Sequence, residues 1–453
     1  MRAEQAPHSR TSAAQQRLKI SDNGRYLVHE DGTPFFWLAD TAWELFHKLD
    51  REEATHYLET RAAQGFNVVQ AVALAEFEGA TSDNRYGRRP LHANEEGRVD
   101  PTRPDTDGDY SYWDHVDAVI AEAARLGIYV ALLPTWGDKI NLGWGKGPEM
   151  FDPDNARVYG RWLGERYRRT PNIVWVLGGD RNLDTRRHFQ TVLALAEGVR
   201  EGDGGSHLAT YHPTAPFSSS RQLHDEAWLD FNMIQSGHFK INGDNWQLVR
   251  DDYARLPVKP TLDGEPCYED LPVNFDPANG YFDEADVRRA AYYAVLSGAF
   301  GHTYGHHSVW SMCDGCYAST SFDEPGAFYI MHWRAALERP GARQMRHLKD
   351  LIESRPYLSL APAQELLASN LTGASYRVAA MGDGYAYIYC PSGLYVEADG
   401  DAIPAARVEA SWYDPRTGAR TSAGIRDASG KLRYDAPSSG RGCDWVLTLE
   451  WAD

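Results

Sequence analysis

Apolar segments of strand length alternate with helical patterns along most of the chain. Eight of these segments are predicted strands; they lie at 35–40, 66–72, 129–136, 173–180, 207–213, 231–238, 260–266 and 301–307. The run 173–177 contains no polar residue, as expected for a strand buried on both faces of a parallel sheet. Helical spacing follows each segment, least clearly between 213 and 231. Eight alternating units predict a (β/α)8 TIM barrel, in which chemistry takes place at the C-terminal ends of the strands.

The alternating pattern and the regions on either side of it predict a division of the chain into three parts. Residues 1–16 lack periodicity and predict a disordered leader. Residues 17–356 predict the catalytic barrel, which starts with a β-hairpin and carries a long polar insertion at 76–108, a length typical of a loop over a site. From 357 to 453 the pattern changes to short alternating strands, which predict a small all-β sandwich as an accessory domain.

The composition narrows the class of partner. A formal charge of −18 argues against nucleic acid, because phosphate binding needs clustered Lys and Arg. The 14 Trp and 25 Tyr fit an enzyme that stacks sugars on aromatic rings, although packing of a large core accounts for most of them. We therefore expect a carbohydrate substrate and no cofactor.

The cysteines and the N-terminus predict the compartment. Five cysteines are too few and too scattered for a disulfide framework, and the lone Cys313–Cys316 pair is read as ordinary thiols. Residues 1–16 contain no apolar segment of the secretory type, and no apolar run is long enough to span a membrane. These observations predict a cytoplasmic protein that does not bind membranes.

Two carboxyl groups at strand ends carry the candidate chemistry. The run 173–177 ends in Gly178, Gly179 and Asp180, and the shorter run at 260–266 delivers Glu265 after Gly264. A retaining glycosidase needs one carboxylate nucleophile and one carboxylic acid that later acts as a base. We predict Glu265 as the nucleophile and Asp180 as the acid/base. Taken singly, Asp180 fits a helix cap or an ion pair, and Glu265 fits a partner of a buried Arg, about equally well.

The other polar and aromatic residues at the strand ends are predicted to bind the sugar. They are Asp40, Trp43, Gln70, Trp136, Asp138, Asn182, Tyr211, His212, Gln235, His238, Asp263, Tyr304, His306 and His307. Asp40, Asp138, Asp263 and Glu269 also compete for the role of second carboxylate.

The histidines near the predicted barrel mouth raise a metal alternative. His302, His306 and His307, with His212 and His238, could ligate zinc. Metal-dependent barrel hydrolases usually carry a His-x-His pair at the end of the first strand, where this chain has Leu38-Ala39-Asp40. We predict hydrogen bonding to sugar hydroxyls and no metal site.

Several motifs in a fixed order resemble the apiosidase-like glycoside hydrolases (glycoside hydrolase family 140). They are Phe36-Trp37-Leu38-Ala39-Asp40-Thr41-Ala42-Trp43, Leu177-Gly178-Gly179-Asp180, Thr210-Tyr211-His212-Pro213, Asp263-Gly264-Glu265-Pro266 and the stretch 301–307. The resemblance implies a retaining barrel hydrolase with Asp180 as acid/base and Glu265 as nucleophile, which releases apiose linked to galacturonic acid in a pectin side chain. The stretch 412–418 is similar to the β-sandwich of the collagen-binding type that accompanies that family.

Two other functions remain open. A carbohydrate-binding barrel that has lost catalysis would bind sugar without turnover, and a metal-dependent hydrolase would lose its activity on chelation. Because both carboxylates are present, the sequence favours the hydrolase.

Overall fold

A computed structural model describes residues 16–315 and 328–452. The predicted leader therefore lies outside the described residues except for Gln16, and so does Cys316 of the CxxC pair. The predicted N-terminal hairpin is a three-stranded antiparallel sheet, whose strands are β1 Leu18–Ile20, β2 Leu27–His29 and β3 Pro34–Phe35.

Parallel strands form a nearly closed barrel, which confirms the predicted fold class. The strands from β4 to β14 are β4 Trp37–Thr41, β5 Val68–Val72, β6 Leu91–Ala93, β7 Val99–Pro104, β8 Tyr129–Leu133, β9 Ile173–Gly178, β10 Ala209–His212, β11 Phe217–Ser218, β12 Asn232–Gln235, β13 Thr261–Asp263 and β14 Gly301–Tyr304. The ladder runs in the order β10-β9-β8-β5-β4-β14-β13-β12. At its open seam the short β11 pairs antiparallel with β12 instead of β10. The hairpin β6–β7 lies within the long polar insertion.

Helices connect the barrel strands. They are α1 Leu45–Lys48, α2 Arg51–Ala63, α3 Tyr112–Arg125, α4 Pro153–Tyr167, α5 Arg186–Asp203, α6 Ser220–Leu223, α7 Asn245–Tyr253, α8 Glu284–Leu296, α9 His307–Trp310, α10 Trp333–Ala336 and α11 Pro340–Glu353. Asp50 and Glu53 form the capping box that starts α2. The helical pattern at 328–353 predicts one last helix, but that helix is interrupted, because Pro340 has no N–H to continue a helix and begins α11 instead. The weak pattern between 213 and 231 yields only the four-residue α6.

An antiparallel β domain follows the barrel. Its strands are β15 Ala361–Pro362, β16 Val378–Gly382, β17 Tyr385–Cys390, β18 Gly393–Asp399, β19 Arg407–Tyr413, β20 Arg420–Asp427, β21 Lys431–Ser439 and β22 Trp445–Ala452. Six of them form one sheet in the order β15-β16-β17-β22-β19-β20, and β18 pairs with β21. The sequence pattern predicts four of these strands, at 375–380, 385–389, 409–413 and 444–449, and misses β15, β18, β20 and β21. The residues of β20 are almost all exposed.

The β domain packs on α8 of the barrel. Tyr292 stacks on Tyr389 with ring centroids 5.1 Å apart. Beside them the Arg288 guanidinium pairs with the Asp444 carboxylate at 2.6 Å, and both side chains are almost fully buried. One apolar cluster therefore continues from the barrel into the second domain. None of the helices in the described part of the chain is long and apolar enough to cross a membrane.

Candidate active site

A cavity of about 440 Å³ opens at the C-terminal ends of the barrel strands. Both candidate catalytic acids line it, and so do these predicted sugar-binding residues: Trp43, Trp136, Asp138, Gln235, His238 and His307. Cavities of this size in other proteins bind small organic ligands.

Asp180 is presented to the cavity by a sharp turn after β9. The φ angles of Gly178, Gly179 and Asp180 are 84°, 123° and 57°, so the chain runs through the left-handed region for three residues. A Cβ atom on Gly179 would lie 2.7 Å from the Trp136 ring, too close for any side chain. The two glycines are therefore required by backbone conformation and by close packing.

The Asp180 carboxyl has a surrounding that favours its protonated form. Burial raises its pKa, and the negative charge of Glu265 raises this pKa further, against the opposing charge of Arg181. The Trp144 indole N–H and the Arg181 guanidinium each lie 3.3 Å from Oδ2, and the Thr214 hydroxyl lies 3.4 Å from Oδ1. A side-chain hydrogen bond from Gln235 also opposes the rise in pKa.

Glu265 has the opposite surrounding. Burial by itself would raise its pKa, but His212 and His238 outweigh burial and lower the pKa well below its ordinary value. The imidazole Nε2 of His212 lies 2.8 Å from Oε2, and that of His238 lies 3.1 Å from Oε1. The Gln70 amide donates to the carbonyl of Gly264 at 2.9 Å and holds the backbone before Glu265. The surroundings thus favour a carboxylate here.

His212 contacts both candidate residues. Its Nδ1 accepts a hydrogen bond from the backbone N–H of Asp180 at 3.2 Å, so the ring proton of the neutral imidazole is on Nε2, facing Glu265. The ring packs beside both Trp43 and Trp136, with centroid distances of 5.5 and 5.9 Å. One packed imidazole thereby fixes the backbone of one acid and the side chain of the other.

Several residues predicted to bind sugar are buried outside the cavity lining and have protein partners. The carboxylate of Asp40 accepts from the Arg61 guanidinium at 2.7 Å and from the Tyr57 hydroxyl at 2.6 Å. Asp40 and Arg61 are both fully buried. Because a buried guanidinium needs a counter-charge, Asp40 stabilises the fold and is not available to a sugar.

Further predicted sugar ligands have similar structural partners. The Tyr304 hydroxyl donates to Glu269 at 2.6 Å, and His306 pairs with Asp270 at 3.0 Å. Asp263 accepts from the Ser236 hydroxyl at 2.7 Å, and burial raises the pKa of Asp263 to about 6. These contacts also leave Asp263 and Glu269 outside the cavity, so neither competes with Asp180 and Glu265.

The last predicted ligands lie one layer behind the cavity. Gln70, Tyr211, Asn182 and His212 are not part of its lining. The Tyr211 hydroxyl donates to the carbonyl of Arg181 at 2.8 Å, and the carbonyl of Asn182 accepts from the Asn141 amide at 2.9 Å. These contacts fix the turn that carries Asp180.

The cavity also contains residues that our sequence reasoning missed. They are Glu76, Phe77, Trp144, Lys146, Arg181, Thr214, Phe239, Tyr268, Phe275, Trp310 and Tyr329. Burial raises the pKa of Glu76, and the charges of Glu44, Asp138 and Asp180 raise it further. Two of these residues carry a signal that could have been noticed: Glu76 opens the long insertion, and Trp144 is flanked by Gly143 and Gly145 in a glycine-rich stretch.

The histidines considered as zinc ligands mostly have carboxylate partners. His212 and His238 contact Glu265, and His306 contacts Asp270. Across the described ranges, the one cluster with the spacing of metal ligands is His92, Asp105 and Asp107, whose ligand atoms lie within 4.8 Å of one another. It lies in the insertion and not among the residues of the cavity.

Comparison with known families decides the class. Residues 21–359 match the profile of the family described as "Apiosidase-like, catalytic domain". This chain belongs to the apiosidase-like glycoside hydrolases. The apiosidase-like match covers the whole barrel and both candidate acids, and residues 361–450 match the "Putative collagen-binding domain of a collagenase".

Two solved structures of glycoside hydrolases are similar to this chain over most of its length. The chain is 34% identical to a glycoside hydrolase described as family 5 from Bacteroides vulgatus ATCC 8482, covering 96% of this chain and 93% of that one with a TM-score of 0.87. A second structure, described as a glycoside hydrolase, is 33% identical over 97% of this chain and 98% of its own, also with a TM-score of 0.87. No curated protein matches the chain.

Proposed function

We propose that this glycoside hydrolase is a retaining enzyme that releases a terminal, apiose-like furanose from oligosaccharides derived from plant polysaccharides. The observation that carries the proposal is the pair of opposite pKa shifts in one cavity. Asp180 has a raised pKa and Glu265 a lowered one, which is the division of labour between acid and nucleophile in a double displacement. The apiosidase-like family supplies the expected sugar.

In the first step the Glu265 carboxylate attacks the anomeric carbon and forms a covalent glycosyl ester. At the same time Asp180 transfers its proton to the leaving oxygen, so the bond between that oxygen and the anomeric carbon breaks without expelling a bare alkoxide. His212 and His238 keep Glu265 ionised and oriented until the attack.

In the second step Asp180 acts as the base. Once Glu265 is esterified, its negative charge is gone, and with it the charge that raises the pKa of Asp180. The Asp180 carboxylate then takes a proton from water as the water attacks the anomeric carbon, which releases the sugar and regenerates the Glu265 carboxylate. The configuration at the anomeric carbon is retained.

The experiment is a panel of 4-nitrophenyl glycosides that includes furanosides, tested on the wild type and three variants. We expect Glu265→Gln to abolish turnover. Asp180→Ala should retain turnover of nitrophenyl substrates better than of oligosaccharides, because nitrophenolate needs little protonation. Azide should rescue Asp180→Ala and give a glycosyl azide of retained configuration.

Glu78→Gln, which changes an exposed acid two residues beyond Glu76, serves as the control and should match the wild type. Full turnover by Glu265→Gln, or an inverted product in the NMR spectrum of the reaction, would contradict the proposal.

A further inference from the structure

The strongest unexplained feature beside the candidate acids is an exposed tryptophan. Trp144 lies in the loop after β8, lines the cavity and is 64% exposed, which is unusual for so large an apolar side chain. A single exposed apolar residue is ordinary by itself, but this ring lines the cavity and its indole N–H contacts Asp180.

The loop that carries Trp144 is held in place by the side chains of Arg181 and Asp138. The Arg181 guanidinium donates to the carbonyl of Asn141 at 3.1 Å, and the Asp138 carboxylate accepts from the backbone N–H of Gly147 at 3.0 Å. A Cβ atom on Gly145 would lie 2.3 Å from the Asp138 Cβ, so the chain passes directly over these side chains. Trp144 is therefore positioned by its loop and does not simply project into solvent.

The ring of Trp144 has one covered face. The Arg181 guanidinium carbon lies 4.1 Å from the ring centroid and covers that face by a cation–π contact. The indole N–H meanwhile reaches Oδ2 of Asp180 at 3.3 Å. The rest of the ring is open to the cavity mouth, so an apolar ligand face can stack there next to the acid.

The position of Trp144 next to Asp180 indicates which part of the substrate Trp144 contacts. An acid/base residue must reach the oxygen between the departing group and the cleaved sugar, so an exposed ring that contacts its carboxyl at the cavity mouth lies beside the departing group. We propose that Trp144, backed by Arg181, forms the leaving-group subsite and binds the apolar face of a sugar ring in the departing group. This inference rests on the proposed roles of Asp180 and Glu265.

The test compares two substrates of the sugar that the nitrophenyl panel identifies. Its 4-nitrophenyl glycoside has an aromatic leaving group that can stack on Trp144, whereas its glycosyl fluoride leaves as fluoride and cannot. For Trp144→Ala we expect the loss in kcat/KM to be about tenfold larger on the nitrophenyl glycoside than on the fluoride, the effect of about one lost aromatic contact. Trp144→Phe keeps an aromatic face and should recover most of that difference.

Leu142→Ala, which shortens another exposed side chain of the same loop, is the control and should change neither substrate. An equal loss on both substrates in Trp144→Ala, or no loss on the nitrophenyl glycoside, would overturn the subsite. In that case the proposed function would still hold if Glu265→Gln abolishes turnover and the wild-type product retains its configuration. A wild type that hydrolyses no glycoside of the panel would overturn both.

Discussion

Replacement of His212 separates its two contacts, because each of its ring nitrogens has a different partner. An Asn side chain can place an acceptor near the position of Nδ1, and a Gln side chain can place a donor near that of Nε2. His212→Asn therefore keeps an acceptor for the backbone N–H of Asp180 but loses the donor to Glu265, and His212→Gln does the reverse.

The expected shift follows from the energy of the lost contact. A hydrogen bond to a charged group contributes about 1.5–3 kcal/mol. Since one pKa unit corresponds to about 1.4 kcal/mol, loss of this contact should raise the pKa of Glu265 by about 1–2 units. The nucleophile must be ionised to attack, so a higher pKa moves the acid limb of the kcat/KM profile to higher pH.

The assay is the pH profile of kcat/KM on a 4-nitrophenyl glycoside, whose leaving group needs little help from Asp180. His212→Asn should move the acid limb upward, and His212→Gln should leave it near the wild-type position. His306→Ala, which removes a histidine that pairs with Asp270 instead, is the control and should not move the limb. An active His212→Asn variant with an unchanged acid limb would refute the reasoning that His212 lowers the pKa of Glu265.

Three further predictions concern the same contacts and the domain interface. Asp40→Asn should lower the free energy of unfolding by about 3–5 kcal/mol, because it leaves Arg61 buried without a counter-charge; urea unfolding measures this, and an unchanged midpoint would contradict it. Arg288→Ala should also lower the free energy of unfolding by about 3–5 kcal/mol, and calorimetry should then show the β domain unfolding separately from the barrel. Arg343→Ala, which breaks an exposed ion pair, should lower the free energy of unfolding by at most about 1 kcal/mol. Glu265→Gln should lower the pKa of Asp180, since it removes the charge that helps to raise it; carboxyl NMR titration measures the pKa, and an unchanged value would show that burial alone raises it.

The sequence alone determined the fold class and the positions of the candidate acids. Apolar runs such as 173–177 must be buried on both faces, and the glycines that end them place Asp180 and Glu265 at strand ends, where all parallel strands of a barrel present their residues. This information is local, because strand periodicity and glycine conformation depend on a few neighbouring residues.

Only the tertiary structure decided which strand-end residues reach the cavity. Asp40 lies in the buried strand β4 and Asp180 follows the buried strand β9, yet Asp40 is paired with Arg61, which comes from α2. Trp144 was missed because its position depends on contacts between its loop and the side chains of Arg181 and Asp138. The sequence pattern around Trp144 does not reveal these contacts. The partner of a buried side chain is often a residue distant in sequence. The local sequence pattern does not show which distant residues come together in the fold.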